Sequence, residues 1–271
     1  MRLTYFLLGL LLGVVETPSI GAQVADMPSD AFADSTQMIL VTTSNWDAIG
    51  GTLQRYERGT AHEMWRQIGD PIPIVVGMNG MAWGIGLIAT DNPAVRLTSD
   101  PQKKEGDGRA PAGVFALGTA FGSASKPLAG LKLPYLNLTP SIECVDDARS
   151  KYYNRVVDRS TVAPDWSSSE HMLSVGEAYR WGIVVDQNSS VMQVNNNPPI
   201  PEGGSCVFLH IWRSRSRGTA GCTAMPQSDL EILLTWLDPK REPLLVQLPA
   251  PAYARLKNRW GLPPLARDAA R

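Results

Sequence analysis

The segment "CVFLHIW" at residues 206–212 is followed closely by "GTAGCTAMPQSDLEILLTWLDP" at residues 218–239. In an extended chain, alternate side chains point to opposite faces. The aliphatic residues of the first segment therefore share one face, the core face, and the other face carries Cys206, Phe208, His210 and Trp212. The pattern predicts a strand that turns His210 away from the aliphatic core, and then a turn of small residues around Cys222.

The second segment predicts an amphipathic helix directly after Cys222. Its leucines stand at positions 230, 233, 234 and 237, which is the spacing of one helical face. Ser228 and Glu231 have the spacing of a capping box, and Pro239 lies just beyond the expected end.

The rest of the chain predicts mainly strands. Apolar or alternating runs bounded by turn residues occur at 38–44, 51–58, 63–68, 71–77, 113–118, 181–186 and 243–249. The 24 glycines and 21 prolines are spread along the chain, which suits many short strands joined by turns. The pattern indicates a mainly β domain over residues 38–250.

The N-terminus predicts export from the cytoplasm. One arginine precedes an apolar run at residues 3–15, which is shorter than the roughly 20 residues that span a bilayer. Such a run followed by small residues is typical of a signal peptide, here residues 1–22, and a membrane anchor is the alternative. We expect a linker at 23–37, a peripheral tail at 251–271 and a location in the periplasm.

Composition excludes several classes of function. The net charge is −1 and no basic stripe is present, so we expect no nucleic-acid partner. The segment "HEMWR" at 62–66 begins like a zinc-binding helix, but Arg66 stands where the second histidine belongs, so no metal is expected.

Cys222 and His210 are candidates for a nucleophile and its base. A cysteine attacks as the thiolate, and an imidazole can take its proton. Gly221 and Ala220 leave room for a substrate carbonyl near the main chain, and the Thr219 hydroxyl can tie the turn. A buried structural cysteine beside a core histidine remains the alternative at this point.

The residues "LHIW" and "GTAGCTAM" resemble the active-site signature of the L,D-transpeptidase (YkuD-type) catalytic domain. A second segment, "KKEGDGRAPAGVFALG" at 103–118, resembles the stretch that precedes the catalytic strand in that family. The resemblance covers roughly residues 38–248. The sequence is closest to a branch with Gly-Cys-x-Ala-Met at the nucleophile, because Ala220 and Ala224 replace polar residues of the better-known members.

The resemblance implies a mixed β-sandwich with a few helices and an enzyme that acts on peptidoglycan stem peptides. Cys222 would form an acyl-enzyme, His210 would act as base and then as acid, and backbone N–H groups near Gly221 and Cys222 would stabilise the oxyanion. An amine of a second stem would then complete a crosslink. No cofactor is implied, and we expect a monomer whose only membrane contact is the cleaved leader.

Further residues are candidates for substrate binding. Thr219, Ala220 and Trp212 flank the nucleophile and the base. Arg213, with Arg215 and Arg217, could bind stem carboxylates. In the segment 144–188, which shows little helix or strand pattern, we expect Tyr153, Asn154, Glu170 and Tyr179 near the substrate, although a purely structural polar network is the alternative.

Two alternative functions use the same residues. Water in place of the amine would make the protein an L,D-carboxypeptidase or a hydrolase of peptidoglycan links, and a non-catalytic cell-wall-binding module is the third interpretation. Three cysteines in an oxidising compartment leave one unpaired. If Cys222 is the free nucleophile, Cys144 and Cys206 are the only possible disulfide pair, and two free, buried thiols are the alternative.

Overall fold

The computed structural model describes residues 30–60, 62–189 and 198–265. The predicted signal peptide at 1–22 and the first part of the predicted linker, residues 23–29, lie outside the described residues. No helix in the described ranges has the length and apolar character that a membrane crossing requires.

The first three strands form an antiparallel meander made of β1 (Gln37–Thr43), β2 (Gly50–Glu57) and β3 (Arg66–Val75). The predicted strands at 63–68 and 71–77 are one strand, β3. Gly69 has a φ of +64°, and the pairing register shifts there opposite Leu53 and Arg55. This bulge lets β3 continue through a glycine- and proline-containing sequence that predicts a turn.

The remaining elements are mostly short. They are β4 (Met81–Trp83), β5 (Ala110–Gly122), β6 (Tyr135–Asn137), β7 (Ile142–Val145), β8 (Val156–Asp158), β9 (Ser169–His171), β10 (Gly182–Val185), β11 (Phe208–Ile211), β12 (Thr223–Met225), α1 (Gln227–Trp236), β13 (Leu244–Pro249) and α2 (Ala250–Leu256). The mainly β prediction is confirmed.

The large sheet closes on itself like a barrel. Its strands follow the order β10-β11-β12-β3-β2-β1-β13-β5, and β5 pairs again with β10. Pairing is parallel between β1 and β13 and between β11 and β12, and antiparallel elsewhere around the ring. The sheet is therefore mixed, as predicted, but the β5–β10 pairing joins what a sandwich would keep as two separate sheets.

A second, three-stranded sheet with the order β8-β7-β9 leads into a 3₁₀ helix at Met172–Tyr179. We call residues 142–179 the capping segment. A small apolar cluster separates it from the barrel and includes Met172, Tyr179, Phe208 and Cys222. The sequence showed little strand pattern in this segment because its strands are only three or four residues long.

Helix α1 agrees with the prediction along its buried face but not at its start. Leu230, Leu233 and Leu234 are buried, as the leucine spacing predicts. The predicted capping box is wrong, because Pro226 is the N-cap residue and no side chain caps the helix. The Pro226 carbonyl accepts hydrogen bonds from two backbone N–H groups of the first turn. The Glu231 carboxylate does not cap the helix and accepts a hydrogen bond from the indole N–H of Trp181.

Both ends of the described chain pack on the barrel. In the predicted linker, Phe32 is buried and its ring lies 6.5 Å from that of Trp260. The expected peripheral tail is wrong for its described part, because α2 and the residues after it bury Tyr253, Leu256 and Trp260. These residues are spaced by three and four positions, a helical pattern hidden among alanine, arginine and proline.

Candidate active site

Cys222 lies at the entrance of β12, in the turn before the strand, and is buried. Its sulfur accepts a hydrogen bond from the Phe208 N–H at 3.3 Å, and the thiol donates to the Cys206 carbonyl at 3.5 Å. The thiol therefore has a fixed position against the start of β11. It is the free cysteine, since Cys144 and Cys206 are bonded to each other.

His210 lies on the neighbouring strand and on the same face as Cys222. In the parallel pairing of β11 with β12, His210 stands opposite Ala224, two residues beyond Cys222. Two residues span roughly 7 Å along a strand, and alternate residues share a face. Both side chains therefore project into one pocket, which they line together.

The hydrogen bonding of His210 defines its chemical role. Its Nδ1 lies 2.9 Å from the Ile211 carbonyl oxygen. A carbonyl only accepts, so Nδ1 carries the proton and Nε2 keeps its lone pair. The Tyr179 ring packs edge-on at 5.3 Å between centroids and holds the imidazole plane. This arrangement presents Nε2 as a base, with a main-chain carbonyl in the orienting role that a carboxylate often has.

Burial leaves both groups uncharged at rest. It raises the pKa of the Cys222 thiol to about 12 and lowers the pKa of His210 to about 4. At neutral pH the resting site therefore holds a neutral thiol beside a neutral imidazole. A thiol must lose its proton before its sulfur can attack, and the neutral His210 imidazole has a lone pair that can accept this proton.

The turn before Cys222 is tied by a side chain, as predicted. The Thr219 hydroxyl donates to the Cys222 carbonyl at 2.6 Å and accepts from the Gly221 N–H at 3.1 Å. The Gly221 amide is therefore occupied, whereas the Cys222 amide has no acceptor among the described residues. The family resemblance placed the oxyanion donors near Gly221 and Cys222, and of these two amides the structure leaves the Cys222 N–H free.

The same turn is anchored to the end of β3. The Thr219 N–H donates to the Val76 carbonyl at 2.9 Å, and the Met78 N–H donates to the Thr219 carbonyl at 2.8 Å. A side chain on Gly218 would lie 2.5 Å from the Met78 backbone, so only glycine allows this approach. The nucleophile thus stands on a turn held from both sides.

The pocket around the two residues has a volume of about 260 Å³. Six of the predicted substrate-binding residues line it: Trp212, Arg213, Thr219, Ala220, Glu170 and Tyr179. Arg217 also lines the pocket, whereas Arg215 does not. A larger pocket of about 640 Å³ lies along β1 and β2, but its described lining has no acid, histidine or cysteine.

Tyr153 and Asn154 lie outside this pocket and hold the backbone beside it. The Tyr153 hydroxyl donates to Glu105 at 2.5 Å and accepts from the Gly204 N–H at 3.1 Å. Asn154 accepts from the Cys206 N–H at 3.0 Å. Tyr153 and Asn154 therefore belong to a structural polar network, which was the alternative to a role in substrate binding.

The disulfide connects the capping segment to Cys206, which lies next to the Cys222 thiol. Cys144 on β7 is bonded to Cys206, with a Cα–Cα distance of 5.9 Å. Cys206 has a φ of +54° and its carbonyl accepts from the Cys222 thiol, so it is not part of the predicted strand. One covalent bond therefore positions both the cap and an acceptor of the catalytic thiol.

Sequence reasoning missed Lys103 as part of the site. It is buried, and its Nζ donates to Asp107 at 2.6 Å. A Cβ on Gly221 would lie 3.9 Å from that Nζ, and the lysine charge lowers the pKa of Cys222, although less than burial raises it. The signal was available, because Lys103 begins the second segment that resembles the family.

No three histidine, cysteine, aspartate or glutamate side chains in the described ranges are grouped to hold a metal ion. Comparisons of the chain with protein-family models, curated proteins and solved structures found no match. Any assignment of function therefore depends on the residues of the pocket and on the sequence motifs.

Proposed function

We propose that the protein is a periplasmic L,D-transpeptidase that crosslinks peptidoglycan stem peptides through an acyl-enzyme on Cys222. One observation carries the proposal: a free thiol and an imidazole with an available Nε2 line one pocket, and the N–H of the same cysteine has no acceptor among the described residues. A buried structural cysteine needs neither a base nor an open pocket. The resemblance of the two sequence motifs to the YkuD-type family supplies the substrate class.

The first half-reaction forms a thioester. His210 Nε2 takes the thiol proton as the Cys222 sulfur attacks the carbonyl next to the L-centre of a diaminopimelate stem. The negative oxygen of the tetrahedral intermediate is stabilised by the Cys222 N–H. The C–N bond then breaks, His210 returns the proton to the leaving amine, and a D-amino acid departs.

The second half-reaction transfers the acyl group. An amine of a second stem attacks the thioester and loses a proton to His210, and the C–S bond breaks. The sulfur regains a proton from His210, so the enzyme returns to its neutral resting state. Because the same His210 serves both steps, no further base or cofactor enters the mechanism.

Two arginines provide the charge that the substrate needs. Arg213 and Arg217 are exposed and line the mouth of the pocket. A peptide stem that carries diaminopimelate has free carboxylates, which guanidinium groups bind with paired hydrogen bonds. The location in the periplasm rests on the N-terminal apolar run and agrees with the Cys144–Cys206 disulfide.

Purified peptidoglycan incubated with the protein tests the proposal. We expect new muropeptide dimers that the Cys222→Ala variant does not produce. Trimmed monomers in place of dimers would identify an L,D-carboxypeptidase, and released substituents would identify a link hydrolase. Unchanged muropeptides together with retained binding to the sacculus would identify a cell-wall-binding module and end the enzymatic proposal.

A further inference from the structure

Two ionisable side chains, the carboxylate of Glu170 and the phenol of Tyr179, meet beside the Cys222 thiol. Glu170 lies on β9 opposite the disulfide residue Cys144, and Tyr179 ends the 3₁₀ helix that follows. The Tyr179 hydroxyl donates to the Glu170 carboxylate at 2.7 Å. Both side chains line the same pocket as Cys222, although the catalytic steps above use neither.

The Tyr179 ring is held so that its hydroxyl cannot move far. The residue is only 3% exposed, and its ring packs edge-on against Phe208 and His210 at 5.7 and 5.3 Å. The Cys222 sulfur lies close enough to this hydroxyl for each group to shift the pKa of the other. The hydroxyl has one proton and two acceptors, so it can donate to only one of them at a time.

The charge of Glu170 decides between these two acceptors. An ionised carboxylate accepts the hydroxyl proton, whereas a neutral carboxyl donates its own proton to the tyrosine oxygen and leaves the hydroxyl free to donate to sulfur. The ionisable groups that face Glu170 across the pocket and from its own segment are Tyr179, Asp146, Cys222, His210, Arg213 and Arg217.

We propose that Glu170, acting through Tyr179, is a positioning residue that regulates the reactivity of Cys222. Ionised Glu170 accepts the hydroxyl proton, so the hydroxyl does not donate to sulfur and the thiol stays at rest. Neutral Glu170 frees the same proton for donation to sulfur, which stabilises the thiolate. The inference rests on the proposed function only in taking Cys222 as the nucleophile.

The electrostatics of the site agree with this arrangement. Burial is the main cause that raises the pKa of Glu170 above its ordinary value, so the neutral form is populated at a higher pH than for an exposed glutamate. After burial, the nearby Glu170 charge is the next cause that raises the pKa of the Cys222 thiol. Neutralising Glu170 therefore favours the thiolate both directly and through Tyr179.

The test measures the rate at which Cys222 reacts with dithiodipyridine, a reagent that remains active toward thiols in acid. Cys222 is the single free thiol, so the reaction reports on one group. Glu170→Gln keeps the shape of the side chain and offers an amide N–H to Tyr179. We expect it to react about three- to tenfold faster than the wild type at pH 7, because thiolate fraction rises as the thiol pKa falls while nucleophilicity drops in part.

The pH profile separates regulation from a structural role. Below the pKa of Glu170 the wild-type carboxyl is neutral, so wild type and Glu170→Gln should react at the same rate there and diverge as pH rises. Glu105→Gln is the matched control, since Glu105 also accepts from a tyrosine hydroxyl but lies outside the pocket. It should follow the wild-type profile throughout.

The Tyr179→Phe background decides whether Glu170 acts through the hydroxyl. If it does, the gain from Glu170→Gln is smaller in that background, because only the direct effect of removing the Glu170 charge remains. A full gain there would overturn the proposal, as would an equal or slower rate for Glu170→Gln in the wild-type background. The reagent needs no peptidoglycan, so a normal thiol profile in a protein that makes no dimers would reject the proposed function and leave this inference intact.

Discussion

At the scale of single residues, burial sets the chemistry of the site. His210 and Cys222 are 8% exposed each, and their shifted pKa values keep both neutral. In the proposed reaction this neutral pair has no preformed thiolate, so proton transfer to Nε2 has to accompany attack. The proposed nucleophile and base would then act as one unit, and the effects of losing them would not add.

Removal of either group should end turnover. We expect Cys222→Ala to give no detectable dimer and His210→Ala to lower kcat by at least roughly a thousandfold, with little further loss in the double variant. Muropeptide chromatography over time measures both. Dimer formation by Cys222→Ala at the wild-type rate would show that the nucleophile lies elsewhere.

The arginines of the loop after β11 offer a matched comparison. Arg213 lines the pocket, whereas Arg215 is exposed and does not. Arg213→Ala should raise KM about tenfold, since a charge-assisted hydrogen bond to a carboxylate is worth about 1.5 to 3 kcal/mol. Arg215→Ala should leave KM unchanged, and equal effects of the two variants would contradict carboxylate binding by Arg213.

Asp186 gives a stability prediction with a defined sign. Burial raises its pKa from 3.8 to about 6, so the folded state binds its proton more tightly than the unfolded chain. Its contribution is fully present below pH 3.8 and is lost as pH rises through about 6. Asp186→Asn should therefore stabilise the protein by about 3 kcal/mol at pH 7.5 and hardly at all at pH 4.

Urea unfolding at the two pH values measures that difference. His210 titrates over part of the same range, but it does so in both proteins and cancels from the comparison. Equal stabilisation at both pH values would mean that the amide, rather than the lost charge, causes the effect.

At the scale of elements, the turn at residues 218–222 decides where the nucleophile stands. Small residues allow its close approach to β3, and the Thr219 hydroxyl closes it through two hydrogen bonds. The same hydroxyl occupies the Gly221 amide, so the Cys222 amide is the donor left for the proposed oxyanion. In that proposal, one side chain links the geometry of the turn to oxyanion binding.

Thr219→Val should separate shape from hydrogen bonding. It removes the hydroxyl at nearly constant volume and leaves the Gly221 N–H and Cys222 carbonyl unsatisfied, which costs about 1 to 3 kcal/mol of unfolding free energy. We expect kcat to fall at least about tenfold as Cys222 loses its position. Thr219→Ser is the control that restores the hydroxyl and should retain most activity.

At the scale of the whole molecule, the disulfide holds the capping segment against the barrel. It spans 62 residues, which corresponds to about 4 kcal/mol of stabilisation in the chain-entropy account. At one end of the bond, Cys144 lies opposite Glu170 in the three-stranded sheet. At the other end, Cys206 provides the carbonyl that accepts a hydrogen bond from the Cys222 thiol. Cap and catalytic turn should therefore loosen together when it is broken.

Replacement of Cys144 and Cys206 by serine should lower both stability and activity. We expect a loss of up to about 4 kcal/mol in urea unfolding and a decrease in dimer formation. Denatured, unreduced wild-type protein should contain one free thiol. Three free thiols, or a double variant as stable as the wild type, would contradict the structural role of the bond.

Short-range sequence patterns correctly predicted the features that depend on residues close together in the chain. The alternation around His210 gave the correct faces of β11, and the leucine spacing gave the buried face of α1. Cys222 and His210 could be chosen because a thiol and an imidazole beside a small-residue turn suggest their chemistry without knowledge of distance. The structure places both in the same pocket.

Other features depend on distant partners and were hidden from local patterns. β3 continues past Gly69 because β2 supplies a bulged ladder, and Pro226 takes the cap of α1 because β12 ends directly before it. Lys103 reaches the Cys222 turn from another part of the chain. These contacts join residues far apart in the chain, so the local turn and capping motifs gave no indication of them.

The sequence by itself determined the mainly β class, the faces of the catalytic strand, the helix after it and the chemical identity of the candidate nucleophile and base. Only the tertiary structure decided that the sheet closes through β5 and β10, that Glu170 and Tyr179 belong to the pocket and that Tyr153 and Asn154 do not. Strand and helix periodicity arise between neighbours in the chain. Ring closure, burial and the pKa shifts that burial causes arise between residues far apart in the chain, and only the folded molecule brings those together.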